Sequence, residues 1–299
     1  MNRLTTIPAL PAGSLLAIVA PAGPPKPGQL EQVAPTLEGY GWRTRVYPGC
    51  AGPTHLEYLA ADDDRRLADL HAAFADPAVD AVMCLRGGWG AQRLLPRIDR
   101  ELLRANPKPL IGFSDITSLH ALRDSLGIPG WHAPMASSNL LGAAAAPEAE
   151  RLFAHLHTGA ASGLVIAPGQ SDHALNRGVS ARGRLIGGNL AVFTALCGTS
   201  SALDARGAIL FFEEVDEAPY RVDRLLTQLD HCGVLDAAAG FVIGDFSGAD
   251  YPMAVLADHL GRRKQPVLAG WPSGHCVPNF PLPVGLDVEL DVAGRCLRF

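Results

Sequence analysis

The sequence has no apolar run long enough to span a membrane. Residues 15–20 are apolar, but they fall far short of the roughly 20 residues that a transmembrane helix needs, and Pro21 follows them at once. No charged segment leads into a long apolar core, as a secretory signal requires. We therefore expect a cytoplasmic protein with no membrane association.

Basic patches are missing as well. The chain has 25 Lys and Arg against 30 Asp and Glu, so its formal net charge is −5. The basic run at residues 262–264 is typical of a solvated helix end. Because nucleic acids and anionic lipids bind basic patches, the sequence predicts no nucleic-acid partner.

Signatures of metal ions and cofactors are also absent. The six cysteines are scattered, with no Cys-X-X-Cys pair, and neither HExxH nor a phosphate-binding GK[ST] occurs. His155 and His157 lie two residues apart on a predicted helix, where their side chains face different directions. We expect no metal, no cofactor and no disulfide framework.

The first half of the chain alternates apolar strands with amphipathic helices. The predicted strands lie at 14–19, 44–47, 81–85 and 109–113, with helices at 29–40, 62–74 and 116–126. This alternation predicts a mainly parallel sheet covered by helices on both faces. The sequence therefore indicates an α/β fold with a Rossmann-like N-terminal sheet.

The length of 299 residues favours two domains. A stretch rich in Gly, Pro, Ser and Ala without clear periodicity is the candidate linker, at residues 161–178. We expect an N-terminal domain at 1–160, which carries the candidate nucleophile. A smaller, mixed α/β C-terminal domain at 179–299 would carry the candidate acid and base.

The most informative segment surrounds Ser114. The apolar strand at 109–113 runs directly into this serine, and a predicted helix follows. A serine at a sharp strand-to-helix turn is typical of a nucleophile elbow. The match is incomplete, because Ile116 stands where the second glycine of Gly-X-Ser-X-Gly belongs. From this segment alone, the slightly favoured interpretation is that Ser114 or Asp115 simply caps the helix.

A glycine-rich segment, RGGWG at residues 86–90, follows another predicted strand. It fails as a dinucleotide fingerprint, because Arg93 stands where the third glycine belongs. Adjacent glycines let backbone N–H groups approach a ligand closely, so an oxyanion pocket fits better. Its donors would be the N–H groups of Gly88 and Asp115. A simple tight turn is the alternative.

The C-terminal half offers a candidate base and a candidate acid. Glu213 follows a predicted buried strand at 208–212, and His275 lies in a loop rich in Pro and Gly. The order Ser, Glu, His along the chain occurs in hydrolases, but the spacing alone does not bring these residues together. His132, before Ala133 and Pro134, is a candidate for the wall of a substrate cleft.

Together these segments resemble the LD-carboxypeptidase family of serine peptidases, the muramoyltetrapeptide carboxypeptidases. The shared segments include IVAPAG at 18–23, RGGWG at 86–90, PKPLIGFSDIT at 107–117, HAPM at 132–135, GGNL at 187–190, EEVDEAPYRVDR at 213–224 and GH at 274–275. The resemblance implies Ser114 as nucleophile, His275 as base, Glu213 as the orienting acid, and Gly88 and Asp115 as oxyanion donors. Because Glu214 replaces the usual aspartate, which of the two glutamates faces His275 stays open.

The resemblance also implies a function. The expected reaction is removal of the terminal D-alanine from murein tetrapeptide during peptidoglycan recycling, by a homodimer without cofactor. Arg86 would pair with the terminal carboxylate of the substrate, since arginine binds carboxylates in a fork; a structural ion pair is the alternative. Two other functions stay open: a peptidase that cleaves a peptide–nucleotide, as microcin C immunity peptidases do, and a two-domain ligand-binding protein without catalysis.

Overall fold

The computed structural model describes residues 3–53 and 56–299. The first half contains five strands: β1 (Leu15–Val19), β2 (Arg43–Val46), β3 (Ala81–Cys84), β4 (Leu110–Ile111) and β5 (Gly130–His132). Its helices are α1 (Leu30–Gly39), α2 (Asp63–Ala75), α3 (Ala91–Leu94), α4 (Arg100–Ala105), α5 (Thr117–Ser125) and α6 (Ala146–Thr158). The predicted alternation of strand and helix is confirmed.

The second half contains a longer set of strands and four helices. The strands are β6 (Val165–Ile166), β7 (Ser180–Asn189), β8 (Ile209–Val215), β9 (Gly240–Ser247), β10 (Val267–Ala269), β11 (Leu282–Val284), β12 (Asp287–Asp291) and β13 (Cys296–Arg298). The helices are α7 (Leu190–Ala195), α8 (Pro219–His231), α9 (Val234–Ala237) and α10 (Met253–Gly261). None of the helices in the described ranges is both long and apolar enough to cross a membrane.

Strands β1 to β5 form a parallel sheet in the order β5-β4-β3-β1-β2. Every residue of β1 and β3 is buried, as expected for strands that helices cover on both faces. The carboxyl ends of β3, β4 and β5 therefore meet at one edge. The segments that follow these three strands, which begin at Leu85, Gly112 and Ala133, lie side by side there.

The second sheet is mixed. Its order is β10-β9-β8-β7-β12-β13-β6, with parallel pairing from β10 to β7 and antiparallel pairing from β7 to β6. A parallel N-terminal sheet beside a mixed C-terminal sheet confirms the predicted fold class.

Two strands link the halves across the predicted boundaries. β6 lies inside the predicted linker and pairs with β13 in the second sheet. β11, from the C-terminal half, adds to the first sheet antiparallel to β5, with Leu282 opposite His132. The boundaries at 160 and 179 remain a prediction. Because β11 pairs with β5, the C-terminal half lies directly against the sheet that carries Ser114.

Candidate active site

Ser114 occupies a strained turn between β4 and α5. Its φ is 62°, in the left-handed region that residues other than glycine rarely adopt. The helix-cap interpretation is not what the structure shows, because no side-chain cap bond is made at the start of either the 3-10 turn Ser114–Ile116 or α5. The backbone instead turns Ser114 out of the end of β4, as a nucleophile elbow does.

The glycine segment after β3 packs directly on this turn. A Cβ added at Gly87 would lie 2.7 Å from Ser114 Cβ and 2.8 Å from its Oγ. Gly88 has a φ of +101°, which suits glycine alone. Within the described residues, neither the N–H of Gly88 nor that of Asp115 has a hydrogen-bond acceptor. Two unpaired donors next to Ser114 fit the geometry of an oxyanion pocket.

The Asp115 side chain holds the glycine segment in place. Its Oδ2 accepts a 2.8 Å hydrogen bond from the Ala91 N–H, at the start of α3. Burial raises the pKa of Asp115 to about 6, although the Ala91 hydrogen bond and the charge of Arg66 work in the opposite direction. Arg66, which is fully buried, also donates to the carbonyl oxygen of Gly90 at 2.9 Å. Sequence reasoning missed Arg66, because arginines are usually exposed.

His275 is bound to Glu213. The distance from His275 Nδ1 to Glu213 Oε2 is 2.7 Å, and Glu213 is fully buried in β8. Glycines make room for this carboxylate: a Cβ at Gly274 would lie 2.6 Å from Glu213 Oε2, and one at Gly244 would lie 3.1 Å from Glu213 Cβ. Burial lowers the pKa of His275, but the hydrogen bond and charge of Glu213 outweigh it and leave that pKa above its ordinary value.

Glu214 points elsewhere. Successive side chains in a strand alternate between faces, and the pairing of β8 with β9 is irregular between Phe212 and Glu214. The carboxylate of Glu214 accepts hydrogen bonds from Asn189 Nδ2 at 2.8 Å and from the N–H of Ala191 at 2.8 Å. The structure thus answers the question that the sequence left open, since Glu213 faces His275.

The loop that carries His275 is anchored to the N-terminal half. The N–H of Gly274 donates to Asn279 Oδ1 at 3.0 Å, and the N–H of Asn279 donates to Glu148 Oε2 in α6 at 2.8 Å. A second link lies beneath the site, where the Asn189 N–H donates to Thr117 Oγ1 at 3.0 Å. The GGNL segment was the only signal in the sequence for this second link.

Ser114 and His275 line one cleft between the two halves. The other residues that line it are Arg86, Gly87, Gly88, Phe113, Met135, Ser138, Asn139, Val215, Cys276 and Val277. The ring of His275 packs on that of Phe113 with 4.9 Å between centroids. Among the described residues, no hydrogen bond joins Ser114 Oγ to His275, whose ring is hydrogen-bonded to Glu213. Catalytic hydrogen bonds are often long or poorly aligned in ligand-free sites and tighten when substrate binds.

His132 does not line this cleft, contrary to the prediction. It is fully buried and packs edge-on against Phe113 and Phe211, at centroid distances of 5.6 and 5.0 Å. Neither ring nitrogen has a hydrogen-bond partner in the described part of the chain. Burial, together with the nearby His120 and His275, lowers its pKa well below the ordinary value, so His132 is a neutral packing residue.

Arg86 does line the cleft. Its Nη1 donates to the carbonyl oxygen of Pro24 at 2.9 Å, and within residues 3–53 and 56–299 no carboxylate lies in salt-bridge range of it. The alternative of a structural ion pair is therefore not what the structure shows. The guanidinium retains donors for a ligand.

Side chains of the kinds that bind metal ions do not cluster at this site in the described part of the chain. In the described ranges, no cluster of three or more His, Cys, Asp or Glu has a geometry that would hold a metal ion. His157 Nδ1 lies 2.8 Å from the Leu10 carbonyl oxygen and its ring stacks on Trp42, whereas His155 lies beside Trp131. The two histidines serve separate packing contacts.

Fold and site together define a class: α/β proteins with two sheets, in which a strained serine and a Glu–His pair from opposite halves share one cleft. Residues 16–133 match the LD-carboxypeptidase N-terminal domain, and residues 182–290 match the LD-carboxypeptidase C-terminal domain. The chain belongs to the LD-carboxypeptidase family, whose members are hydrolases.

Similar proteins carry related names. A probable murein peptide carboxypeptidase of Bacillus subtilis is 36% identical, with 96% of this chain and 92% of the relative aligned. A murein tetrapeptide carboxypeptidase of Pseudomonas aeruginosa is 33% identical, over 97% of this chain and 96% of the relative. The solved muramoyltetrapeptide carboxypeptidase of Oxalobacter formigenes has a TM-score of 0.81 at 29% identity, covering 95% of this chain and 97% of that one.

The fold also occurs in a protein with another name. The microcin C7 self-immunity protein, solved with aspartyl sulfamoyl adenosine, has a TM-score of 0.88 and covers 98% of this chain and 97% of its own. Its sequence identity is only 21%, so this likeness shows a common fold alone.

Proposed function

We propose that the protein is a serine-type L,D-carboxypeptidase that removes the terminal D-alanine from murein tetrapeptide. The observation that carries the proposal is the cleft that the strained Ser114 turn shares with His275, whose ring is hydrogen-bonded to Glu213 at 2.7 Å. The murein peptide carboxypeptidase names of the relatives support the choice of substrate. The proposal includes the cytoplasm as location, peptidoglycan recycling as context and a homodimer as assembly.

In the proposed mechanism, His275 Nε2 takes the proton of Ser114 Oγ while that oxygen attacks the scissile carbonyl. The oxyanion accepts hydrogen bonds from the N–H groups of Gly88 and Asp115. The imidazolium returns its proton to the nitrogen of D-alanine, which leaves. Water activated by His275 then releases the acyl group from Ser114. Glu213 holds the His275 tautomer and stabilises its positive charge, and no metal or cofactor takes part.

Activity should rise with pH on the acid side. The base must be neutral, and Glu213 keeps the His275 pKa above its ordinary value despite burial. We expect kcat/KM to increase through a midpoint above about pH 6.5, and this midpoint to move down in Glu213→Gln, which removes the charge that raises the pKa. A kcat/KM profile from about pH 5 to about pH 8 checks this. A flat profile would contradict His275 as the base.

Gly87→Ala should displace the nucleophile. The new Cβ would overlap Ser114 Oγ at 2.8 Å, so either the serine or the glycine segment must move. Because a shift of about 1 Å can cost roughly 100-fold in rate, we expect kcat/KM to fall by about that factor. The matched control is Gly39→Ala at the end of α1, where nothing lies within 4 Å of the added Cβ. Equal activity in the two variants would contradict the close packing of Gly87 on Ser114.

A comparison of three substrates tests the proposal against its rivals. The purified protein should release D-alanine from murein tetrapeptide. Pentapeptide should resist, because its terminal bond joins two D-centres, and a peptide–nucleotide should be cleaved poorly. Faster cleavage of the peptide–nucleotide would favour the immunity-type function. Binding of tetrapeptide without hydrolysis would identify a ligand-binding protein.

A further inference from the structure

The loop after β5 lies over the end of β3. Both the N–H and the Oγ of Ser137 donate to the carbonyl oxygen of Leu85, at 2.8 and 2.9 Å. Leu85 immediately precedes Arg86, and Asn139 follows Ser137 by two residues. Arg86 and Asn139 thus lie at one edge of the sheet, and both line the cleft that contains Ser114.

The orientation of the Asn139 amide is determined by its neighbours. The backbone N–H of Met135 lies 3.1 Å from Asn139 Oδ1, and a backbone N–H can only donate. The atom that faces Met135 must therefore be the oxygen, which also accepts from Ser138 Oγ at 2.9 Å. The amide nitrogen points away from both groups, and it has no hydrogen-bond acceptor in the described part of the chain.

The cleft therefore combines a cation and a neutral donor beside the candidate nucleophile. Arg86 donates one hydrogen bond, from Nη1, to the Pro24 carbonyl oxygen and has no carboxylate partner among the described residues. Asn139 adds two N–H bonds of fixed direction. Among the residues that line the cleft, only Arg86 and, when it is protonated, His275 carry a charge. The lining therefore carries no negative charge. Such a site selects a small anion with two oxygens.

We propose that Asn139 and Arg86 bind the α-carboxylate of the leaving D-amino acid, and that Asn139 makes the enzyme specific for a free C-terminus. This inference rests on the proposed function. Arg86 supplies the charge, and Asn139 Nδ2 donates to a carboxylate oxygen and fixes its position relative to Ser114. Met135, in the same lining, forms an apolar wall for the short side chain of the leaving residue.

The test compares murein tetrapeptide with the same peptide ending in D-alaninamide, in the wild type and in Asn139→Asp. Aspartate keeps an oxygen for Met135 and Ser138, but it replaces the amide donor by a negative oxygen. We expect the ratio of kcat/KM for acid over amide to fall by about 10- to 100-fold, the effect of losing a hydrogen bond to a charged group. Arg86→Met should lower the ratio similarly.

The matched control is Asn106→Asp, the same change beyond α4, where the Asn106 amide bonds to the Leu102 carbonyl at the opposite edge of the sheet. The control should keep the wild-type ratio. If Asn139→Asp lowered kcat/KM equally for acid and amide, the carboxylate site would be overturned.

A binding measurement separates this inference from the proposed function. Calorimetry with Ser114→Ala should show tighter binding of the acid than of the amide, and Asn139→Asp in that background should remove the difference. Absence of any difference would overturn the carboxylate site. If the difference is present but wild-type protein releases no D-alanine, the site stands and the proposed hydrolysis fails.

Discussion

Ser114→Ala should abolish release of D-alanine from murein tetrapeptide. Loss of a catalytic serine typically lowers kcat by about 10⁴- to 10⁶-fold, because the remaining groups act as a unit with the nucleophile. The fold should persist, since in the described residues Ser114 Oγ makes no hydrogen bond whose loss would destabilise the chain. Steady-state D-alanine release and a thermal unfolding curve measure both expectations.

Ser125→Ala is the matched control for this variant. Ser125 lies at the far end of α5, where its Oγ donates to the Leu122 carbonyl oxygen at 2.6 Å. Its loss should leave D-alanine release near the wild-type rate. Undiminished release by Ser114→Ala would show that Ser114 is not the nucleophile.

Glu213→Gln should have the second-largest effect. Glutamine can either donate to His275 Nδ1, which forces the wrong tautomer, or accept from it without supporting the imidazolium charge. Neutralising the buried acid of a triad typically lowers kcat by about 10⁴-fold. Because Glu213 is fully buried, solvent cannot stabilise the imidazolium in place of the lost carboxylate. The measurement is kcat with tetrapeptide, at a pH above the acid limb of the wild type.

Glu214→Gln is the comparison that decides between the two glutamates. This change disturbs the hydrogen bonds to Asn189 and Ala191 but leaves the Glu213–His275 contact intact. We expect a loss of stability of about 1–3 kcal/mol and retention of most of the activity. A larger loss of kcat in Glu214→Gln than in Glu213→Gln would reverse the assignment.

Part of the site was predictable from local sequence. The strand before Ser114 and the helix after it follow from hydrophobic patterning, and the strained turn lies at their junction. The RGGWG segment at 86–90 indicated a close approach of the backbone. The structure explains why glycine is needed there, because a Cβ added at Gly87 would lie only 2.7 Å from Ser114 Cβ. His132 was misjudged because sequence does not show that Phe113 and Phe211 enclose it.

The sequence alone determined the α/β class and the strand–serine–helix turn and, through family resemblance, led to the proposed roles of Ser114, Glu213 and His275. These features depend on periodicity and on short ordered motifs, which are local. Only the tertiary structure decided that Glu213 rather than Glu214 faces His275, that His132 is buried, and that Asn139, with its oxygen turned to the Met135 N–H, lines the same cleft as Arg86. The reason is physical: these contacts depend on how the edges of two sheets meet, and no periodicity along the chain encodes which side chains face each other there.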